Sequence, residues 1–434
     1  MLRFLLALGL LSLLPVAAAA PPNIVMIISD DHAWTDYGFM GHPMVATPHL
    51  DKLASQSLTF KNGYVPSSLC CPSLATMITG KYPHQHRITG NDPAVDQTGA
   101  EGRPKLKNPA FAAGRERMKT LIRATPTLPR LLGGPQGYRS QQTGKWWLGG
   151  YADGGFTEGM TDGDPARGGR HGDAGLNIGR KGMEPIYDFI RRSAADQKPF
   201  LVWYAPLLPH DPHTPPEALL AKYRDKVSSL HVAKYLAMVE WFDQTCGELM
   251  GFLDQENLSD NTIVVYVADN GWIQNPDNPR FAPRSKQSPY DGGLRTPIML
   301  RWPGKIQPAM PQTVAHSIDL MPTLLKACGV AVPEGCPGID LLDPAAVAAR
   351  DTVFGACYDH DMVDFDAPAK SLKWRWCRQG DWKLILPTTR VPDAVPELYN
   401  LAVDPRELNN LATSEATRRE TLVQRLDAWW TPDF

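Results

Sequence analysis

Mostly apolar runs recur along the chain at residues 23–29 (NIVMIIS), 200–207 (FLVWYAPL), 262–268 (TIVVYVA) and 297–302 (PIMLRW). None alternates with polar positions, so each predicts a strand covered on both faces, as in a mostly parallel central sheet. Between them lie segments with helical spacing: residues 48–58 with Thr47 as N-cap, 183–194, 233–253 and 318–327. Strands separated by helices predict a doubly wound α/β architecture. After residue 350 the texture changes to the short pieces TVFGACY, KWRWCRQ, WKLILP and ELYN, then a helical stretch at 415–430. Closely spaced strands without helices between them predict a small antiparallel sheet. The expected organisation is a leader over 1–20, a main α/β domain over 21–349 and a C-terminal subdomain over 350–434.

The leader reading rests on MLRFLLALGLLSLLPVAAAA, with one arginine, an apolar stretch and a small-residue end of the Ala-x-Ala kind. A cleaved signal peptide, with the mature chain starting near Pro21, predicts export to the periplasm or medium. No later stretch approaches the roughly 18 apolar residues of a membrane span, so no membrane insertion is expected. A formal charge of -2 with scattered Lys and Arg offers no basic stripe for nucleic acid. The expected partner is a small or polymeric anionic substrate. Seven cysteines leave at least one free, modified or bonded elsewhere in an oxidising compartment. Cys357 with Cys377, and Cys328 with Cys336, are possible bridges, although spacing alone does not fix connectivity.

Candidate chemistry falls at strand ends. The first strand runs into Asp30-Asp31 and the third apolar run into Asp269-Asn270. Ligands in open α/β sheets bind outside the carboxyl ends of the strands, so both pairs should meet in one crevice. Three carboxylates and a carboxamide are hard oxygen donors that suit Ca²⁺ or Mg²⁺. Either pair alone reads equally well as a cap or turn. Cys70-Cys71-Pro72 precedes a helical run that Gly80 should end, which places both thiols at a helix N-terminus. A thiol there is expected to have a lowered pKa and to serve as a nucleophile. A buried structural cysteine or half of a disulfide is the alternative.

Cys70-Cys71-Pro72-Ser73, followed by Thr79-Gly80-Lys81-Tyr82-Pro83-His84, resembles the signature of the formylglycine-dependent type I sulfatases of the alkaline phosphatase superfamily. The resemblance extends to GKWWLG at 144–149, KQSPYDGGLRTPIMLRWPG at 286–304, DLMPTLL at 319–325 and ELYNLAVDPRELNNLA at 397–412. It implies an alkaline-phosphatase-like fold and hydrolysis of sulfate esters of a polysaccharide or an aryl alcohol. It implies that Cys70 is oxidised to formylglycine by a formylglycine-generating enzyme, and that Asp30, Asp31, Asp269 and Asn270, with residue 70, hold one calcium ion. By the same resemblance Lys145 and Lys286 bind the sulfate. His210, in APLLPHDPHTPP, protonates the leaving alcohol, and His213 is the second choice.

Two positions depart from the pattern. The arginine expected four residues after the modified cysteine is Leu74, and the histidine expected two after Lys145 is Trp147. An arginine one helical turn from Cys70 would reach the nucleophile and metal, and it belongs to the sequence that the modifying machinery reads. Lys81 and His84 match the family pattern, whereas His86 and Arg87 are nearby basic groups that would restore the lost charge. All four are expected at the substrate. Substrate contacts are also expected from Trp34, Asn91-Asp92 and Tyr358-Asp359-His360. The departures keep two other readings open: a metal-dependent phosphoester hydrolase on the same scaffold, and a sulfated-glycan binding protein without turnover.

Overall fold

The computed structural model describes residues 20–95, 108–134, 136–163 and 169–434, so nearly all of the predicted leader lies outside the described residues. An eight-stranded sheet forms the centre. Its strands in chain order are β1 (Asn23–Ser29), β2 (Leu58–Tyr64), β3 (Arg139–Gly144), β4 (Glu158–Gly159), β5 (Phe200–Ala205), β6 (Thr262–Ala268), β7 (Arg295–Arg301) and β8 (Val314–His316). The spatial order is β4-β3-β5-β1-β6-β7-β2-β8. Every pairing is parallel except those of β7 with β6 and with β2. Between β6 and β7 the chain makes only the short helical turn Asp291–Leu294, with no crossover helix, so β7 returns antiparallel. The expected mixed α/β fold is therefore present, with one reversed strand.

The apolar runs are buried on both sides for the reason their lack of alternation implied. Ile24, Met26 and Ile28 face one core with Ile263, Val265 and Val267, and that core includes the helix Cys70–Thr79. Val25, Ile27, Val264 and Tyr266 face the other, against the helices Pro48–Ser55, Glu184–Ala195 and Leu230–Gln255. Strands β2 and β3 escaped the sequence reading because LTFKNGY and RSQQTG are too polar to stand out. The helix Pro109–Ala124 was likewise not anticipated. No helix among the described residues is long and apolar enough to cross a membrane.

Four further strands, β9 (Thr352–Tyr358), β10 (Leu372–Gln379), β11 (Trp382–Pro387) and β12 (Glu397–Asn400), form the expected antiparallel sheet, covered by the helix Ala416–Trp429. Neither suggested disulfide forms, and all seven cysteines are free. Cys377 lies opposite Phe354 and Cys357 opposite Trp374, so they are three positions apart in register. The Cys377 thiol turns to Leu422 O, and that of Cys357 turns the other way to Ser68 and Ser288. Cys328 accepts from the Tyr138 hydroxyl at 3.0 Å while Cys336 points to Gly80 O.

The small sheet braces the segment that leads to Cys70. Pro66 O accepts from Ala356 N at 2.9 Å and from Trp376 Nε1 at 3.3 Å, and Ser68 O accepts from Gln287 N at 3.0 Å. Beside them the fully buried Lys383 ammonium lies 2.8 Å from Asp291 Oδ1 and 2.7 Å from Glu407 Oε1. Removing one partner of a buried ion cluster leaves uncompensated charge. Lys383→Met should accordingly cost about 3–5 kcal/mol in urea unfolding. An unchanged midpoint would show that the cluster contributes nothing to holding the small sheet in place.

Candidate active site

Strands β1, β3, β5 and β6 run parallel, so their carboxyl ends open on one edge of the sheet and bring distant residues together. β1 ends in Asp30 and Asp31, and β6 in Asp269 and Asn270. Lys145 follows β3 and His210 follows β5. Backbone bonds fix the loops: Asp30 N donates to Leu208 O at 3.0 Å, His32 N to Asn270 O at 3.1 Å and Lys145 N to Ala205 O at 2.6 Å. Asp31 adopts the left-handed conformation, with φ of 62°, which a short polar side chain tolerates better than most. The neutral His32 ring beneath it is held by Ser29 Oγ at 2.9 Å and Asp36 O at 3.0 Å.

Cys70 opens a helix whose ten residues are all buried. Its thiol lies 3.3 Å from Lys145 Nζ and 3.3 Å from Lys286 Nζ. Lys145 is 2.7 Å from Asp30, and Lys286 lies 2.6 and 2.7 Å from the two oxygens of Asp31. Burial pushes the Cys70 thiol pKa up, and the two lysines only partly oppose this. The expectation of a lowered thiol pKa is thus overturned, because desolvation outweighs the helix end and both ammonium groups. Burial also pushes Asp31 up, but Lys286, His210 and Lys145 together draw it below the ordinary carboxylate range.

Asp269 shows the reverse balance. Burial and the neighbouring Asp30 push its carboxyl well above the usual range. Its Oδ1 accepts from Asp31 N at 3.1 Å and Asn270 N at 2.6 Å, while Oδ2 is buried without a hydrogen-bond partner. Asn270 donates through Nδ2 to Asp31 Oδ1 at 2.6 Å and leaves Oδ1 equally unpartnered. Two orphaned oxygens beside Asp30 and Asp31 fit a hard cation. Donor atoms of Asp30, Asp31, Cys70 and His210 also lie within 4.8 Å of one another.

The half-buried His210 ring has Nε2 3.3 Å from Asp31 Oδ2 and Nδ1 2.9 Å from Asp211 Oδ1. Arg180 holds its loop through Leu207 O at 2.8 Å and His210 O at 3.1 Å. His213 is set back against Trp272 and Tyr235, at ring distances of 5.8 and 5.5 Å, with Nε2 buried and unpartnered.

The structure does not bring Lys81, His84, His86 and Arg87 to Cys70. They lie toward the other end of the Cys70–Thr79 helix, and ten residues at ~1.5 Å each span ~15 Å. His84 stacks on Trp430 at 4.3 Å, His86 bonds Thr76 Oγ1 at 3.2 Å, and Arg87 pairs with Asp366 at 2.8 Å on the surface. The position 74 side chain packs in the apolar core, so neither His86 nor Arg87 replaces an arginine there.

Basic groups reach this region from segments the sequence reading did not single out. The buried Arg115 donates to Asn91 O at 3.3 Å, Arg170 O at 3.3 Å and Trp147 O. Arg170 stacks on the Trp147 ring at 4.8 Å and His171 meets its edge at 4.3 Å. No local pattern marks these residues, since the contact is made by a helix and a loop far apart in sequence. Of the suggested substrate contacts, Asn91, Asp92 and His360 do gather beside the cysteines. Asn91 Oδ1 accepts from Cys71 N at 3.0 Å, and its Nδ2 is 3.4 Å from His360 Nε2. Trp34 lies under Arg295, and Asp359 pairs with Arg390.

Residues 22–330 match the family model Sulfatase, and residues 284–429 match N-sulphoglucosamine sulphohydrolase, C-terminal. The chain belongs to the sulfatase family. This sulfatase is 28% identical to arylsulfatase A of Homo sapiens over 95% of its own length and 87% of the relative. It is 30% identical to N-acetylgalactosamine-6-sulfatase of Rattus norvegicus, covering 77% and 68% respectively. A structure solved with its substrate D-glucosamine-2-N,6-O-disulfate superposes with a TM-score of 0.69 at 20% identity, covering 94% of this chain and 97% of that one, which speaks for the fold. The enzyme is a sulfuric ester hydrolase.

Asn91 tests how the Cys70–Thr79 helix is anchored. Asn91→Ala leaves the buried Cys71 amide without an acceptor, a loss of about 1–3 kcal/mol in urea unfolding. Asn91→Asp keeps the acceptor and should retain most of that stability. Equal destabilisation by both would place the effect elsewhere.

Proposed function

We propose that this sulfatase hydrolyses sulfate esters of a saccharide, using formylglycine made from Cys70 and a calcium ion held by Asp30, Asp31, Asp269 and Asn270. The observation that carries the reading is the Cys70 side chain flanked at 3.3 Å by two buried ammonium groups, each paired to a carboxylate. That arrangement suits the anionic sulfate group of an ester, and burial, which pushes the Cys70 thiol pKa up, speaks against a working thiolate. Oxidation of Cys70 would supply an aldehyde hydrate whose hydroxyl is the nucleophile, and calcium would supply charge to polarise the sulfate.

The chain's own groups have separate tasks. Lys145 and Lys286 hold non-bridging sulfate oxygens and neutralise charge as it develops. His210 delivers a proton to the leaving alcohol from a half-open position, a role typically worth ~10²–10⁴-fold. Asp211, 2.9 Å from Nδ1, orients that ring. A bound dication would hold Asp269 ionised, and together with Lys145 and Lys286 it would outweigh the three carboxylates by one positive charge and make the pocket receptive to sulfate. A carbohydrate substrate is supported by the relatives named for N-acetylgalactosamine-6-sulfate and by the structure with a disulfated glucosamine. The leader expected over residues 1–20 would deliver the enzyme outside the cytoplasm, where such polymers occur.

Mass analysis of the Cys70 peptide should find an aldehyde in place of the thiol despite Leu74. Cys70→Ala should lower kcat by ~10³-fold or more, while Cys71→Ala retains the nucleophile and most of the activity. An unmodified thiol in an active wild-type enzyme, or the reverse ranking of the two variants, rules the formylglycine route out.

For the metal, Asp269→Ala should weaken calcium binding in calorimetry by at least ~10-fold and depress activity in parallel. Full activity after exhaustive chelation would remove calcium from the reaction.

A further inference from the structure

Arg170 lies outside the sulfate cluster but shares an indole with it. Lys145 Nζ is 5.9 Å from the centre of the Trp147 ring and the Arg170 guanidinium is 4.8 Å from it. Trp147 follows Lys145 by two residues, and the loop that carries Arg170 is tied to the same strand end by Trp146 N donating to His171 O at 2.5 Å. Arg115 adds a second tie, bonding both Trp147 O and Arg170 O. The guanidinium is therefore held at a fixed place beside Trp147, whose ring it shares with Lys145.

Its hydrogen bonds reveal what remains available. Asp92, fully buried, receives Nε at 3.0 and 3.1 Å and also Nη2. Nη1 lies 2.5 Å from His171 Nε2. Among the described residues these partners occupy three of the five N–H donors of an arginine and leave one on each terminal nitrogen. The side chain is 27% exposed while its carboxylate partner is 0% exposed. A residue serving only to neutralise Asp92 has no need of that exposure, and Arg115 already stands 3.9 Å from the same carboxylate. Planar, pre-oriented guanidinium with two unused donors is the arrangement that binds an oxyanion at two points. His360, 39% exposed, borders the same corner through Asn91 and Asp361.

We infer that Arg170 recognises a second acidic group, a carboxylate or another sulfate, carried by the saccharide whose sulfate ester is cleaved. The inference rests on the saccharide reading above and narrows it to polyanionic sugars. Arg170 is then a specificity residue, with Asp92 and Trp147 as the groups that position it. Discrimination follows from a difference in affinity between sugars with and without the second charge, whereas the sulfate common to both is held elsewhere.

The test measures binding by calorimetry to wild type, Arg170→Gln and Arg170→Lys, each shown to melt as a folded protein. The probes are paired sugars: glucosamine 6-sulfate against glucosamine 2-N,6-O-disulfate, galactosamine 6-sulfate against its 4,6-disulfate, and a sulfated hexose against the matching sulfated hexuronic acid. In wild type at least one pair should favour the doubly charged member by ~10-fold or more, as expected of a charge-assisted bidentate contact. Arg170→Gln should bring that ratio close to one, and Arg170→Lys should restore part of it. The first two pairs report a second sulfate and the third a carboxylate. No preference in any pair, or a preference that Arg170→Gln leaves intact, overturns the inference. Turnover of 4-nitrophenyl sulfate, measured alongside, separates the two claims: a wild type that binds as expected but lacks formylglycine and turnover refutes the proposed reaction and leaves the assignment of Arg170 standing.

Discussion

Everything at the site depends on charge held out of water at the carboxyl edge of the sheet. Asp30, Asp31 and Asp269 are each at most 2% exposed, and carboxylates so buried persist as anions only when cations sit against them. Lys145 and Lys286 meet that demand for Asp30 and Asp31 at 2.6–2.7 Å, but among the described residues no cation pairs with Asp269 in this way. The unpartnered oxygens of Asp269 and Asn270 are thus the other side of the same constraint. Three acids gathered this tightly call for added positive charge, and the two ammonium groups next to Cys70 are where the proposed reaction places the anionic substrate.

That electrostatic demand explains why so much of the fold is spent on one ten-residue helix. Its N-terminus must hold a side chain among four charged groups without admitting water, so the helix is covered on every side. The lead-in segment is bonded to the small sheet at Pro66, to the Lys286 loop at Ser68 and to Asn91 through the Cys71 amide. The buried Lys383, Asp291 and Glu407 cluster secures the sheet that supplies two of those bonds. The small C-terminal sheet therefore acts as a brace for the segment that carries Cys70.

What could be read from the chain follows from the range of each interaction. Apolar runs such as TIVVYVA and short strands such as WKLILP declare themselves because burial on two faces, or close strand spacing, is a local property. Asp30-Asp31 and Asp269-Asn270 were legible because strand ends in this architecture converge by rule. RSQQTG was not, since its burial comes from neighbours that its own composition does not reveal. The cysteine pairings failed because strand register decides which side chains face each other, and register depends on turns and partners. Arg115 and Arg170 were invisible for the same reason: they act across the gap between two loops and a helix.

The two departures from the family pattern have a common physical consequence. Leu74 makes the first turn of the Cys70–Thr79 helix part of the apolar core, so positive charge near it has to come from other elements. Trp147 replaces a group that can exchange a proton with one that can only donate a hydrogen bond. It also offers a broad ring on which Lys145 and Arg170 both rest. His171, at the edge of that ring, is held neutral by burial and by the adjacent Arg170, with its pKa lowered to about 3, and its Nε2 is engaged by Arg170. In the proposed reaction this leaves proton delivery to His210, the imidazole that faces Asp31 from a half-open wall. The proposed reaction thereby divides proton transfer from charge recognition: His210 would serve the leaving oxygen, and Trp147, without acid–base capacity, offers a platform for a second cation.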